Sequence, residues 1–207
     1  MGKISVTGYA EREVTYDRMR INIDFSSIEK TSSRAMDEVM KQSDKFIESL
    51  VNKGIKSEFI HFKEDTLGKD YRYQENNNFT AERCIYVDVE FNMVLLNTIV
   101  ELIKSHEGDI SYHTDYSVSN INKIHGELLK EAFLDSKKKA ELIISTYGRE
   151  ISGIKSINTA KISVHEKILD CMMLCEDSYD DETNSISNVL SAPTIVEREQ
   201  IEVVWLF

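Results

Sequence analysis

Cys171 and Cys175 stand four residues apart, with His165 six residues before the first and Glu176 beside the second. On a helix that spacing puts both thiols on one face, within reach of one soft metal ion. The pair is not Cys-x-x-Cys, no second pair accompanies it, and Met172, Met173 and Leu174 lie between. A buried or interfacial thiol, packing as a small hydrophobe, is therefore favoured over metal or redox chemistry. Asp177, Asp180, Asp181 and Glu182 offer carboxylate oxygens to a hard cation. The turn glycine and trailing glutamate of an EF-hand are missing, so a solvated acidic loop is the better reading.

The five histidines, His61, His106, His113, His125 and His165, are scattered, and none has a second histidine at ligand spacing. His113 and Asp115 share one strand face and would suit an acid–base pair, although an exposed polar face explains them as well. No nucleophile elbow, P-loop or dinucleotide fingerprint occurs. Gly8 and Gly54 belong to no glycine-rich phosphate turn. Tyr71 and Tyr73 read equally as hairpin packing or as an interface patch. These residues imply no cofactor and no resident metal.

Composition narrows the partners. The formal net charge of −11 repels phosphate backbones, and the one basic run, Lys137 to Lys139, falls mid-helix and reads as a solvated face. Nucleic acid is excluded on those grounds. No apolar run approaches the ~18 residues of a membrane span. No secretory leader is visible at the start, and three cysteines, an odd number, fit reduced thiols. Those two features point to the cytoplasm. One proline and eight glycines leave no Pro/Gly-rich linker, so any subdomains must share sheet or core.

The elements that must position these residues follow from periodicity. Ile4–Ala10 reads as a strand broken at Gly8 and followed by a charged turn, Glu11-Arg12-Glu13. Met19, Ile21, Ile23 and Phe25 alternate with Arg18, Arg20, Asn22 and Asp24, which predicts a strand with one wet face. Thr31 to Ser33 can cap a helix reaching about Lys53, with Ala35, Met36, Val39, Met40, Phe46, Ile47, Leu50 and Val51 as its stripe. Residues 58–63 read as a strand, 68–78 as a hairpin and 80–91 as a second alternating strand, with Val87 on its buried face. Asn92 caps a second helix, residues 110–118 form another strand, and Asn122 caps a third helix that buries Leu128, Leu129, Ala132, Phe133, Ala140, Ile143, Ile144 and Tyr147. Gly54, Gly108 and Gly148 end the three helices. Strands at 151–159 and 201–207 close the chain. Between them, residues 165–202 hold ten acidic side chains against two basic ones, an acidic insert at about 165–192.

The order of these pieces resembles the SIMPL-domain family. Ile4-Ser5-Val6-Thr7-Gly8-Tyr9-Ala10 is similar to its first strand, and Lys53-Gly54-Ile55 with Phe59-Ile60-His61 to its segment after the first helix. Phe79-Thr80-Ala81 leading into Ile85-Tyr86-Val87-Asp88-Val89 resembles its long strand. Glu131-Ala132, Asp135 to Glu141, Gly148, Gly153 and Ile157 resemble its third helix and the strand beyond. Tyr16 stands before Asp17 where the family usually has proline, and Ser136 where a second alanine is common. The family's better-known bacterial members are periplasmic or surface-associated proteins linked to oxidative-stress defence. The resemblance implies an α+β fold, self-assembly in some members and no established enzymatic activity.

The sequence thus predicts an α+β fold, a mixed and largely antiparallel sheet (or two tightly fused sub-sheets) packed against three helices in one domain spanning 1–207. The expected role is non-enzymatic self-association, in a stress-related scaffold or assembly, with an unidentified protein partner and Ile4, Val6, Tyr71 and Tyr73 as interface candidates. The alternative is a thiol- or metal-dependent activity at Cys171, Cys175 and His165.

Overall fold

The computed structural model describes residues 2–69, 78–160 and 191–207. In chain order these form β1 (Lys3–Thr15), β2 (Arg18–Glu29), α1 (Ser32–Asn52), a 3-10 turn (Ser57–Phe59), β3 (Ile60–Lys69) and β4 (Phe79–Glu90). Then come α2 (Met93–Ser105), β5 (Asp109–Ser117), α3 (Ile121–Ser145), β6 (Gly153–Ala160) and β7 (Thr194–Leu206). Two sheets result, ordered β1-β7-β6 and β3-β4-β2-β5, and every pairing is antiparallel. The fold is α+β. The chain divides into two compact units, one built from residues 2–16, 118–160 and 193–207, the other from 17–117 with 191–192.

In the second unit, alternation produces the sheet as expected. Met19, Ile21, Ile23 and Phe25 of β2 and Ala81, Ile85, Val87 and Val89 of β4 turn one way and are buried against α1 and α2. Each large apolar side chain removed from water in this way contributes roughly 1.5–3 kcal/mol. Phe25 meets Phe46 of α1 edge to face at 5.6 Å. The α1 face is less apolar than its spacing suggests. Gln42 and Ser43 are buried beside Ala35, Val39, Phe46 and Leu50, while Met40 and Val51 are exposed. Ser43 is accommodated because its hydroxyl donates back to the Met40 carbonyl at 2.8 Å. Thr31 caps α1 and Asn92 caps α2, each accepting a backbone N–H from three residues ahead.

The first unit departs further from expectation. β1 does not stop at Ala10, and Glu11-Arg12-Glu13 is not a turn. All three residues pair with β7, opposite Arg198, Glu197 and Val196. The charges are satisfied from a distance: Arg198 donates to Glu11, Thr194 to Glu13, and Arg12 holds both Glu127 and Glu131 of α3. β7 correspondingly begins seven residues before the predicted start at Ile201. On α3 the cap position is Asn120 rather than Asn122, and no side-chain bond is made there. Leu128, Ala132, Ser136, Ala140 and Ile144 form its buried ridge, one residue every four, whereas Ile143 and Tyr147 lie exposed.

Three small residues in the middle of that ridge let α3 descend onto β1 at Gly8. A Cβ there would sit 1.8 Å from the Ala132 carbonyl oxygen and 2.8 Å from the Ser136 Cβ. Gly8 therefore marks a close approach of helix to strand, and the strand runs through it. Ser136 fills its place with a hydroxyl that accepts from Trp205 Nε1 at 3.0 Å and donates to the Val6 carbonyl at 3.1 Å.

Three outcomes are expected. Val87→Asp forces an unpaired charge into the β4–helix core and removes the cooperative melting transition, since such burial costs several kcal/mol. Gly8→Ala destabilises by roughly 3 kcal/mol by overpacking against the α3 backbone. Ser136→Ala costs about 1–3 kcal/mol by stranding the buried indole N–H. Denaturant midpoints of the variants check each, and a Gly8→Ala midpoint equal to wild type would mean α3 does not lie this close.

Candidate functional site

The densest grouping of chemically capable side chains lies on the face of the four-stranded sheet opposite its helices. Registers carry the residues there: β2 supplies Arg18, Arg20, Asn22 and Asp24, β4 supplies Cys84, Tyr86 and Asp88, and β5 supplies His113 and Asp115. Asp88 receives Arg18 and also Arg20, the latter at 2.8 Å. The Arg20 guanidinium lies 4.5 Å from the centre of the Tyr86 ring, which in turn stacks on His61 at 4.9 Å. Such a column of cation, ring and ring is held by the quadrupole of the tyrosine as well as by charge.

His113 and Asp115 do meet, at 3.9 Å between Nε2 and Oδ2. Asp24, from β2, approaches the other ring nitrogen at 3.8 Å. Asp115 accepts a hydrogen bond from the buried Asn22 amide at 3.0 Å. The histidine is thus bracketed by two carboxylates, with its side chain 55% exposed. A general base needs its partner within hydrogen-bond reach of a held substrate proton. These contacts are longer than that and lie on an open strand face.

Cys84 is the described thiol on this face. Burial, reinforced by the neighbouring Asp24 carboxylate, pushes its pKa up to about 12. The thiolate is the reactive form, so Cys84 is protonated and inert near neutral pH. Further along the sheet, Arg83 grips Asp65 of β3 through two nitrogens, at 2.8 and 2.7 Å. That hydrogen bond holds the Asp65 carboxyl below its usual range against the opposing effect of burial. At Asp88 burial acts to raise the pKa, and the two arginines outweigh it, so the net direction is down.

The remaining histidines serve separate places. His106 packs edge-on to Phe25 and Phe46, where burial lowers its pKa. His125, near the start of α3, reaches Glu199 at 2.8 Å and Glu197 at 3.5 Å on β7. This trio escaped the sequence because β7 was not visible that far upstream. Its signal was the Glu197–Glu199 alternation in line with Ile201. Among the described residues no group of three histidine, cysteine or acidic side chains is placed to hold a metal ion.

Of the residues singled out from sequence, Val6 is buried and Ile4 half-buried, both packed with α3 in the first unit's core. Their side chains are therefore occupied within the unit. Cys171, Cys175, His165, Tyr71, Tyr73 and the acidic run Glu176 to Glu182 lie outside the described residues. A second feature had no sequence signal. α3 packs on β1 and β7, leaving β6 beside it with no described helix over it, and an open trough of about 650 Å³ follows. Phe133, Ile144, Ile154 and Trp205 supply its apolar lining, with Lys137 and Glu141 on its walls. No described helix is long and apolar enough to cross a membrane.

With this geometry in hand, the comparisons give one positive result. The family model for SIMPL, described as a protein of unknown function (DUF541), matches residues 4–204. The chain belongs to the SIMPL family, and the match runs through both compact units. No curated protein matches the chain.

The ion pairs at Asp88 on the polar face and at Asp65 on the helix side predict a pH dependence. Asp65 and Asp88 ionise more readily folded than unfolded, so they stabilise the fold above about pH 4, the ordinary carboxylate value. That contribution is lost as pH falls through the depressed folded-state values. Thermal melts between pH 7 and 2 should show Asp88→Asn with a shallower acid-side fall than wild type. An identical slope would show that the pair does not persist in solution.

Proposed function

We propose that this protein works by self-association and not by catalysis, with its strand edges and exposed apolar residues making the contacts. The observation that supports this reading is where the unsatisfied groups lie. On the polar sheet face Asp88 is held by two arginines, and the described thiol is protonated. At the sheet edges, by contrast, backbone groups and large apolar side chains remain open among the described residues: Phe62 and Leu67 on β3, Tyr112 on β5, Ile154 and Ile157 on β6. An open strand edge is a template for another strand, and closed symmetric assembly is the common way to satisfy it. A scaffold or assembly role in stress defence is part of the same proposal and follows the family resemblance, whereas the reducing compartment proposed with it follows the odd number of cysteines.

The competing reading places thiol or metal chemistry at Cys171, Cys175 and His165, favoured by the four-residue spacing of the thiols. Three measurements on the full chain separate the two. Self-association predicts a native mass that is a multiple of the chain mass at micromolar concentration, no stoichiometric metal, and thiols of ordinary reactivity. A purely monomeric mass would remove the proposal. Stoichiometric zinc or copper, or one fast-reacting cysteine, would put the thiol site in its place.

A further inference from the structure

The four strand edges are not equally open. At β1 the outward groups are those of odd-numbered residues, because Gly2 exchanges both backbone hydrogen bonds with Phe207. α3 occupies two of them: Asp135 accepts from the Tyr9 N–H at 3.0 Å, and Lys139 donates to the Thr7 carbonyl at 3.4 Å. β3 carries Lys63, Glu64, Asp65 and Lys69 and a register break between Phe62 and Glu64. β5 carries Asp109, His113 and Asp115. Charges, bulges and covering elements are the usual means of blunting an edge. β6 has the least protection: its one charge is Lys155, and no described side chain bonds to its outer backbone.

β6 also has an apolar face that no described element covers. Its register breaks once against β7, between Ile154 and Ser156. Ile154 lies opposite Trp205, and beyond the break Ile157 lies opposite Val203. The extra residue resets the alternation, so two isoleucines three apart in sequence share the face that carries α3. With no helix above them they are 42% and 52% exposed. They continue the floor of the trough, whose Trp205 is anchored to Ser136 and whose walls carry two cations and two anions, Lys137, Arg149, Glu141 and Glu150.

Resting on the self-association reading, we infer that the contact between copies is β6 against β6, antiparallel and edge to edge. A twofold axis perpendicular to the sheet then keeps α3 and its mate on the same side. The two troughs merge into one apolar floor between two helices, above a continuous six-stranded sheet. The occupant is a second copy on the ground of charge. A chain of net charge −11 repels itself over most of its surface, whereas this trough wall carries two cations and two anions, Lys137 already paired with Glu141, and so brings no net charge to a contact between copies. An isologous contact of this type closes on itself.

The test uses the full chain at several micromolar concentrations, read by native mass and by hydrogen exchange. Ile157→Glu should weaken self-association by roughly a hundredfold, the scale for trapping an unpaired charge in an apolar contact. Leu67→Glu on β3 should leave it unchanged. Wild-type β6 amides should exchange more slowly as concentration rises, a readout that needs no mutation should Ile157→Glu fail to fold. If the wild type associates but its β6 amides ignore concentration, or Leu67→Glu dissociates it while Ile157→Glu does not, the β6 contact is wrong and self-association stands. A wild type that is monomeric throughout overturns both. Emission of Trp205, the one tryptophan, reports that each variant is folded.

Discussion

α3 rests directly on the backbone of β1, and the first unit is arranged around that contact. With a hydrogen at Gly8 and small side chains at Ala132, Ser136 and Ala140, the helix comes close enough for its side chains to bond the strand itself. Asp135 reaches the Tyr9 N–H, Lys139 the Thr7 carbonyl and Ser136 the Val6 carbonyl. The same approach lets Ser136 accept the indole proton of Trp205 on the neighbouring strand, so one hydroxyl ties three elements together. Arg12 adds two ion pairs to the same helix further along. Raising the helix by one side chain would break all of these at once. Hydrogen bonds coupled in this way are worth more together than apart. The contact also explains why serine serves at 136 where alanine would fit by volume: alanine has no partner for the Trp205 N–H.

The second unit solves a different problem with different means. Its sheet is four strands wide and backed by two helices, so its apolar face is covered with ordinary large side chains. Its other face is held by cross-strand charge, Asp88 between two arginines and His113 between two aspartates. Pairs of this kind on partly exposed strands contribute modestly to stability, and they fix register more than they add energy. They also bear on function. A histidine, a thiol and several carboxylates within one sheet face make a suggestive inventory, yet each group is already answered by a neighbour. Membership of a family fixes the fold and leaves activity to be argued from such sites.

Sequence reasoning succeeded where the signal is local. The alternation of β2 and β4 put Ile21, Ile23, Ile85 and Val87 inside, and Thr31 and Asn92 cap as expected. Gly54, Gly108 and Gly148 all adopt positive φ, at 90°, 135° and 64°. It failed where the deciding partner is remote. Glu11-Arg12-Glu13 looks like a turn until β7 and α3, more than a hundred residues on, supply opposite charges. Met40 and Val51 fit the α1 stripe by spacing, but the sheet accepts Gln42 and Ser43 instead. At the candidate site, His113 and Asp115 were legible because two residues apart on a strand means one face. Asp24 was not, since its place beside them depends on the β2–β5 register. The bulge that turns Ile154 and Ile157 to one side has no sequence signature at all.

The two sheets differ in how their helices cover them. Two helices over four strands leave Phe62 and Leu67 of β3 and Tyr112 of β5 exposed on the helix side of the second unit, all of them on edge strands. One helix over three strands, drawn tightly onto β1 and β7, leaves the third strand beside it bare of any described helix. A wet, nearly uncharged edge strand is a feature that soluble proteins ordinarily remove by charge or by cover. The other edges of this chain have been treated in those ways. That β6 has not among the described residues, while its neighbouring wall is charge-balanced in a strongly acidic protein, is the observation on which the proposed contact between copies rests.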